Sequence, residues 1–184
     1  MSEQHPVSIL VVDDKPRNVV ALQAALASVE CKLVTAGSGL DALKCVLAQD
    51  FAVILLDVRM PGMDGFETAS LIRARERSHS TPIIFLTAAD VDGARAMEGY
   101  RLGAVDYIHK PLDLDILRSK VTFFVDLFQK TAALQKVTSD LLRREQQLGT
   151  LNAELEDRVT ERTMALETAI SDLEAEAAAS AAWR

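Results

Sequence analysis

Short apolar runs alternate with amphipathic stretches along residues 7–110, and polar or charged residues close the runs. Val7-Ser8-Ile9-Leu10-Val11-Val12 reads as a first strand that stops at the paired acids Asp13 and Asp14. Lys32-Leu33-Val34-Thr35 is a second, shorter strand. Val53-Ile54-Leu55-Leu56 is apolar on both faces and delivers Asp57 just ahead of a Pro61-Gly62 turn. Pro82-Ile83-Ile84-Phe85-Leu86 is a fourth strand ending at Thr87, and Ala104-Val105-Asp106-Tyr107-Ile108 is a fifth, closed by Lys110-Pro111.

Helices fill the gaps between these strands. Pro16 opens one whose apolar face runs Val19, Val20, Leu22, Leu26. Ser38 caps another carrying Ala42, Leu43, Val46 and Leu47. Phe66 to Arg75 puts Phe66, Ala69 and Ile72 on one side, and a weaker pattern around Ala94–Leu102 ends at Gly103. Buried strands joined by helices form a parallel sheet covered on both faces by right-handed crossovers. The expected fold class is α/β, a doubly wound five-stranded parallel sheet.

Beyond Pro111 there is no further proline, and Gly149 is the only glycine. Leu114, Leu117, Val121, Phe124 and Phe128 predict a fifth helix packed on the sheet. Helical patterning then continues through Leu134, Val137, Leu141, Leu148, Leu151 and Leu155, with Arg144 interrupting the seam. Val159, Leu166, Ile170, Leu173 and Ala177 carry it on after a stutter between Leu155 and Leu166. A helix from Asp113 to Ala179 would be roughly 100 Å long, too long to rest on its own hydrogen bonds and propensity. A parallel dimeric coiled coil supplies the missing partner. The competing readings are a solvated tail and a hairpin, and no turn cluster in Leu134–Ala179 supports a hairpin.

Composition narrows the class. Hydrophobic residues make up 49% and charged residues 26%, an ordinary globular balance. A net charge of −7 without a basic patch argues against a nucleic-acid partner. No apolar run is long enough to span a bilayer, and Met1–Pro6 has no signal-peptide core, so a membrane is not expected and the cytoplasm is. Cys31 and Cys45 have neither metal-type nor redox-type spacing.

Parallel strands share one carboxyl edge, and that edge gathers Asp13, Asp14, Asp57, Thr87 and Lys110. Three neighbouring carboxylates repel unless a cation sits between them. Hard oxygens with no His or Cys nearby suit Mg²⁺. A carboxylate beside such a metal is a phosphoryl acceptor, and an ammonium and a hydroxyl suit the oxygens that transfer brings. Taken singly, each residue has an ordinary reading as a solvated turn or a helix cap. Their joint occurrence at four strand ends does not.

The ordered set Asp13-Asp14, Asp57-x-x-Met60-Pro61-x-Met63-x-Gly65, Thr87-Ala88 and Lys110-Pro111 resembles the receiver domain of bacterial two-component response regulators, over about residues 7–128. The resemblance implies a flavodoxin-like fold with strand order 2-1-3-4-5. It implies that Asp57 accepts a phosphoryl group from a sensor histidine kinase or phosphotransfer protein. Asp13, Asp14 and Asp57, with the backbone carbonyl of Arg59, would hold Mg²⁺, and Thr87 and Lys110 would bind phosphoryl oxygens. Tyr107 matches a switch aromatic that turns inward when Thr87 moves, and a cis Lys110-Pro111 bond is expected. Arg59 and Ala89 match positions that tune the phosphate's lifetime.

Residues 151–163 are similar to signalling-helix linkers, which often precede kinase, cyclase or phosphatase output domains. No such output is visible: the histidines are His5, His79 and His109, and no glycine-rich nucleotide loop or helix-turn-helix follows residue 128. A piece of a longer protein and a receiver whose output is the coil itself both remain open, as does a downstream output domain or protein. The organisation expected is a receiver over 1–128 and a dimerising helical extension over 129–184. An enzyme of the haloacid-dehalogenase type would need a second Asp where Arg59 stands. A non-phosphorylated coiled-coil scaffold is the other alternative.

Overall fold

The computed structural model describes residues 7–88 and 106–181. Its elements are β1 (Ser8–Val12), α1 (Pro16–Leu26), β2 (Lys32–Ala36), α2 (Gly39–Ala48), β3 (Ile54–Asp57), α3 (Gly65–Arg73), β4 (Ile83–Ala88), β5 (Asp106–Lys110) and α4 (Leu114–Ala181). The strands form one parallel sheet in the order β2-β1-β3-β4-β5, as expected. The helix expected around Ala94–Leu102 and the start of the fifth strand lie outside the described residues.

Strand alternation decides which helix covers which face. Leu10, Val12, Ile54, Leu56, Ile83 and Phe85 share a core with Ala42 and Val46 of α2 and with Phe66, Ala69 and Ile72 of α3. Their neighbours Ile9, Val11, Leu55, Ile84 and Leu86 share the opposite core with Leu22 and Leu26 of α1 and Leu117, Val121, Phe124 and Val125 of α4. Buried on both faces, the central strands are continuously apolar for that reason.

Local chemistry fixes the turns. The Ser38 hydroxyl accepts the Asp41 N–H at the start of α2. Asp64 and Glu67 form a reciprocal capping box at the start of α3. Gly62 turns the chain with a φ of +81°, a conformation that favours glycine. Arg118 donates to the Ala25 carbonyl at 3.1 Å, tying the first turns of α4 to the end of α1.

Three residues expected on apolar helix faces are instead exposed: Val20, Leu47 and Leu114. Apolar spacing of three and four gives a helix but not the phase at its edges, and each of these lies at the margin of its buried stripe.

The chain divides into two units, Met1–Ala132 and Ala133–Arg184. In the second, the described residues are helical and exposed throughout, side chains being described as far as residue 175. The seam side chains from Leu134 to Leu173 are each about half exposed or more.

Candidate functional site

The site sits at the carboxyl edge of the sheet, where β1, β3, β4 and β5 end together. Asp13 follows β1 directly, Asp57 is the last residue of β3, and Lys110 is the last of β5. Thr87 is one residue from the end of β4, paired in register with His109, and Ala88 pairs with Lys110. Register alone therefore brings the expected residues to one edge.

Asp13 is 1% exposed and Asp57 is 3% exposed. Burial of that depth demands partners for a charged group. Asp13 has four. Its carboxylate accepts the Lys15 N–H at 2.9 Å, the Asn18 amide at 3.0 and 2.8 Å, and the Lys110 ammonium at 3.1 Å. It also lies beside the N-terminus of α1, where the helix dipole favours an anion. Asp57 has fewer partners: the Lys110 ammonium at 3.1 Å and the Arg59 N–H at 3.4 Å. Its carboxyl is accordingly held above the usual carboxylate range. Burial is the main cause, Lys110 opposes it, and the Asp13 charge adds to it.

Oxygens of Asp13, Asp14 and Asp57 lie within 4.8 Å of one another. The Lys110 ammonium contacts two of these three carboxylates, Asp13 and Asp57. The Asp14 Oδ1 atom is buried and has no hydrogen-bond partner. A buried, orphaned oxygen aligned with two further carboxylates fits a divalent cation that prefers oxygen ligands. Lys110 and Thr87 border the same edge, and Lys110-Pro111 is cis, as expected.

The α3 side of the site depends on one glycine. A Cβ on Gly65 would stand 2.4 Å from the Asp57 carbonyl oxygen and 2.8 Å from the Val58 Cα. The Gly65 N–H meanwhile donates to the Val58 carbonyl at 3.0 Å. Only glycine lets α3 begin this close to the acidic strand end.

Residues 9–122 match the model of the response regulator receiver domain. The chain belongs to this family. Among relatives, a probable cyclic di-GMP phosphodiesterase of Vibrio cholerae is 34% identical over 121 residues, 66% of this chain and 27% of that protein. The response regulator PleD of Caulobacter vibrioides is 40% identical over 114 residues, 61% of this chain and 25% of that protein. This chain thus spans about a quarter of the length of either. The solved receiver domain of the sensor histidine kinase PA1611 from Pseudomonas aeruginosa, with magnesium coordinated in its active-site cleft, is 30% identical. It superposes with a TM-score of 0.60 over 66% of this chain and 99% of that one. Receiver domains bind Mg²⁺ in their acidic site and take their phosphoryl group from a histidine kinase or phosphotransfer partner. No helix among the described residues is long and apolar enough to cross a membrane.

Tyr107 is half-buried, its ring stacked on Phe85 with centroids 5.3 Å apart. Phe85 in turn meets Phe66 at 4.8 Å, so β5, β4 and α3 share one aromatic row. Arg59 is exposed beside Asp57, and Ala89 lies outside the described residues. Two positioning residues escaped the sequence reading. Asn18 clamps Asp13 from α1, and Lys120 of α4 forms an ion pair with Asp106 of β5. Asn18 lies five residues after Asp13, one turn into a proline-started helix, and that spacing is the signal that would have found it.

Proposed function

We propose that this chain accepts a phosphoryl group on Asp57 from a sensor histidine kinase or phosphotransfer protein and passes the change to paired C-terminal helices. The observation that carries the reading is the Asp57 carboxylate itself. It is buried at a strand end, 3.1 Å from the Lys110 ammonium and within 4.8 Å of two further carboxylates.

In the transfer, an Asp57 carboxylate oxygen attacks phosphorus as the P–N bond to the donor imidazole breaks. The bonding electrons leave with the imidazole nitrogen. Lys110 and the Thr87 hydroxyl bind oxygens of the transferred group, holding charge where it develops. Asp13, Asp14, Asp57 and the Arg59 backbone carbonyl would hold Mg²⁺, which supplies charge neutralisation at the acceptor. Water attack on the same phosphorus returns the free carboxylate, so self-dephosphorylation accompanies acceptance, with Arg59 and Ala89 at the sequence positions that tune its rate. Tyr107 acts as the switch, exchanging its place on Phe85 as Thr87 engages the phosphoryl group.

We assign residues 1–128 to the receiver and 129–184 to a helical extension that pairs as a parallel homodimer. The exposed seam from Leu134 to Leu173 supports the pairing, because a lone helix of this length gains little from its own hydrogen bonds. The reading is of a cytoplasmic protein whose paired helices act on a downstream output domain or protein.

The test is chemical location. Protein treated with acetyl phosphate and Mg²⁺ is reduced with borohydride, which converts an aspartyl phosphate to homoserine. Homoserine at position 57 is expected, and homoserine at another aspartate contradicts the assignment.

A further inference from the structure

The apolar positions of the helical extension change period partway along it. From Leu134 through Leu141 to Leu148 they recur every seven residues, with Val137 and Arg144 as the second series. Beyond Leu148 the recurrence is every eleven. Leu148, Val159, Ile170 and Ala181 form one series, Leu151, Arg162 and Leu173 a second, and Leu155, Leu166 and Ala177 a third. The stutter between Leu155 and Leu166 is thus one repeat of a regular pattern, with spacings of three, four and four.

The two periods ask for opposite windings. Seven residues fall about 20° short of two turns of a straight helix, and eleven overshoot three turns by about 20°. Helices that keep a seven-residue stripe in contact wind around each other to the left, and an eleven-residue stripe winds them to the right. The helix itself runs unbroken from Leu114 to Ala181, so both stripes lie on one continuous element. Leu151, Leu155, Val159, Leu166, Ile170 and Leu173 are each about half exposed or more, as the earlier seam residues are.

Gly149 stands at the change. A Cβ there would meet nothing within 4 Å, and its φ is not positive, so neither space nor backbone conformation calls for a glycine. What it supplies is a weak point. A glycine inside a helix makes the local turn about fivefold easier to open than an alanine does.

We infer that the paired helices wind to the left from Leu134 to Leu148 and to the right from Leu151 to Leu173, with Gly149 as the joint between the two windings. The inference rests on the parallel coil proposed above, and the change of period favours that arrangement. In a parallel pair each layer meets its own copy, so the change falls at the same level in both helices. An antiparallel pair would set seven-residue stripes against eleven-residue ones, and the contact lines would part by about 40° over one repeat. A joint at this place lets the segment that follows the receiver unit turn without unwinding the one beyond it.

Disulfide trapping tests the inference in the full chain with Cys31→Ser and Cys45→Ser in the background. Single cysteines are placed at Leu141, Ala165, Leu166, Asp172 and Leu173. Seven-residue spacing continued from Leu151 brings 165 and 172 into the contact, whereas eleven-residue spacing brings 166 and 173. Intermolecular disulfides at 141, 166 and 173, forming about tenfold faster than at 165 and 172, are the expected result. Trapping at 141, 165 and 172 leaves a coil of one winding and overturns the inference while the coil stands. Equal trapping at 165 and 166 overturns it too, since no stripe is then fixed. No trapping at any position, with a monomeric mass, overturns the coil and the inference together. Amide exchange along the helix reads the joint separately. Exchange across residues 147–151 should be about fivefold faster than in the turns on either side, and Gly149→Ala should remove the difference. Uniform exchange in the unaltered chain would remove the joint.

Discussion

Lys110 Nζ stands 3.1 Å from a carboxylate oxygen of Asp57, and the same ammonium is 3.1 Å from Asp13. One side chain therefore compensates two buried acids, and it occupies oxygens that a cation would use. Lys110→Met removes that competition. Mg²⁺ should bind about tenfold tighter, equivalent to about 1.4 kcal/mol of relieved repulsion. Phosphoryl uptake should nonetheless fall, since a donor to the transferred oxygens is gone. Thermal stability titrated against Mg²⁺ reads the affinity, and weaker binding would contradict the shared role.

Asp57 gives a pH dependence of definite sign. Burial raises its folded pKa above the unfolded value. The stability it contributes is full below the unfolded pKa and is lost as pH rises through the folded one. At neutral pH and without Mg²⁺ the ionised group is a net cost. Asp57→Asn should therefore raise the melting temperature in chelator at pH 7, with the gain shrinking as pH falls into the carboxylate range. A gain that grows on acidification would reverse the sign.

Asn18 places two hydrogen bonds on the Asp13 carboxylate. Partners that orient a metal ligand are worth about tenfold or more in affinity. Asn18→Ala should weaken Mg²⁺ binding by about that factor, measured by calorimetry, while the fold persists. Unchanged affinity would make Asn18 a helix-end residue only.

Gly65 and Gly37 form a matched pair. A Cβ at Gly65 meets the backbone of Asp57 and Val58, whereas one at Gly37 meets nothing within 4 Å. Gly65→Ala should cost about 2 kcal/mol or more in urea unfolding and slow phosphoryl uptake, because α3 must back away from the acidic strand end. Gly37→Ala should be close to neutral. Equal effects would remove the steric account.

Much of the fold and the site's membership was legible because buried strands announce themselves as apolar runs. Where such a run stops on Asp57, Thr87 or Lys110, the parallel sheet does the rest. Asn18 was passed over for the opposite reason: it is one polar residue on α1, and its spacing of five residues after Asp13 gains meaning only from the turn that folds α1 back onto that carboxylate. Leu114 and Val20 read as core because periodicity carries no phase at a helix margin. Phe123 and Leu127 are exposed on the helix that buries Leu117 and Val121 against the sheet. Their apolar neighbours Phe124 and Phe128 drew that stretch into the sheet-facing pattern, and only exposure separates the two faces.

The central claim is that Asp57 accepts a phosphoryl group in a site built around a divalent cation. Intact mass after incubation with acetyl phosphate, with and without Mg²⁺ and beside Asp57→Asn, tests it most directly. The account requires one phosphoryl adduct that depends on Mg²⁺ and is absent from the variant. An adduct that survives in Asp57→Asn, or none under any condition with the donor left intact, would contradict it.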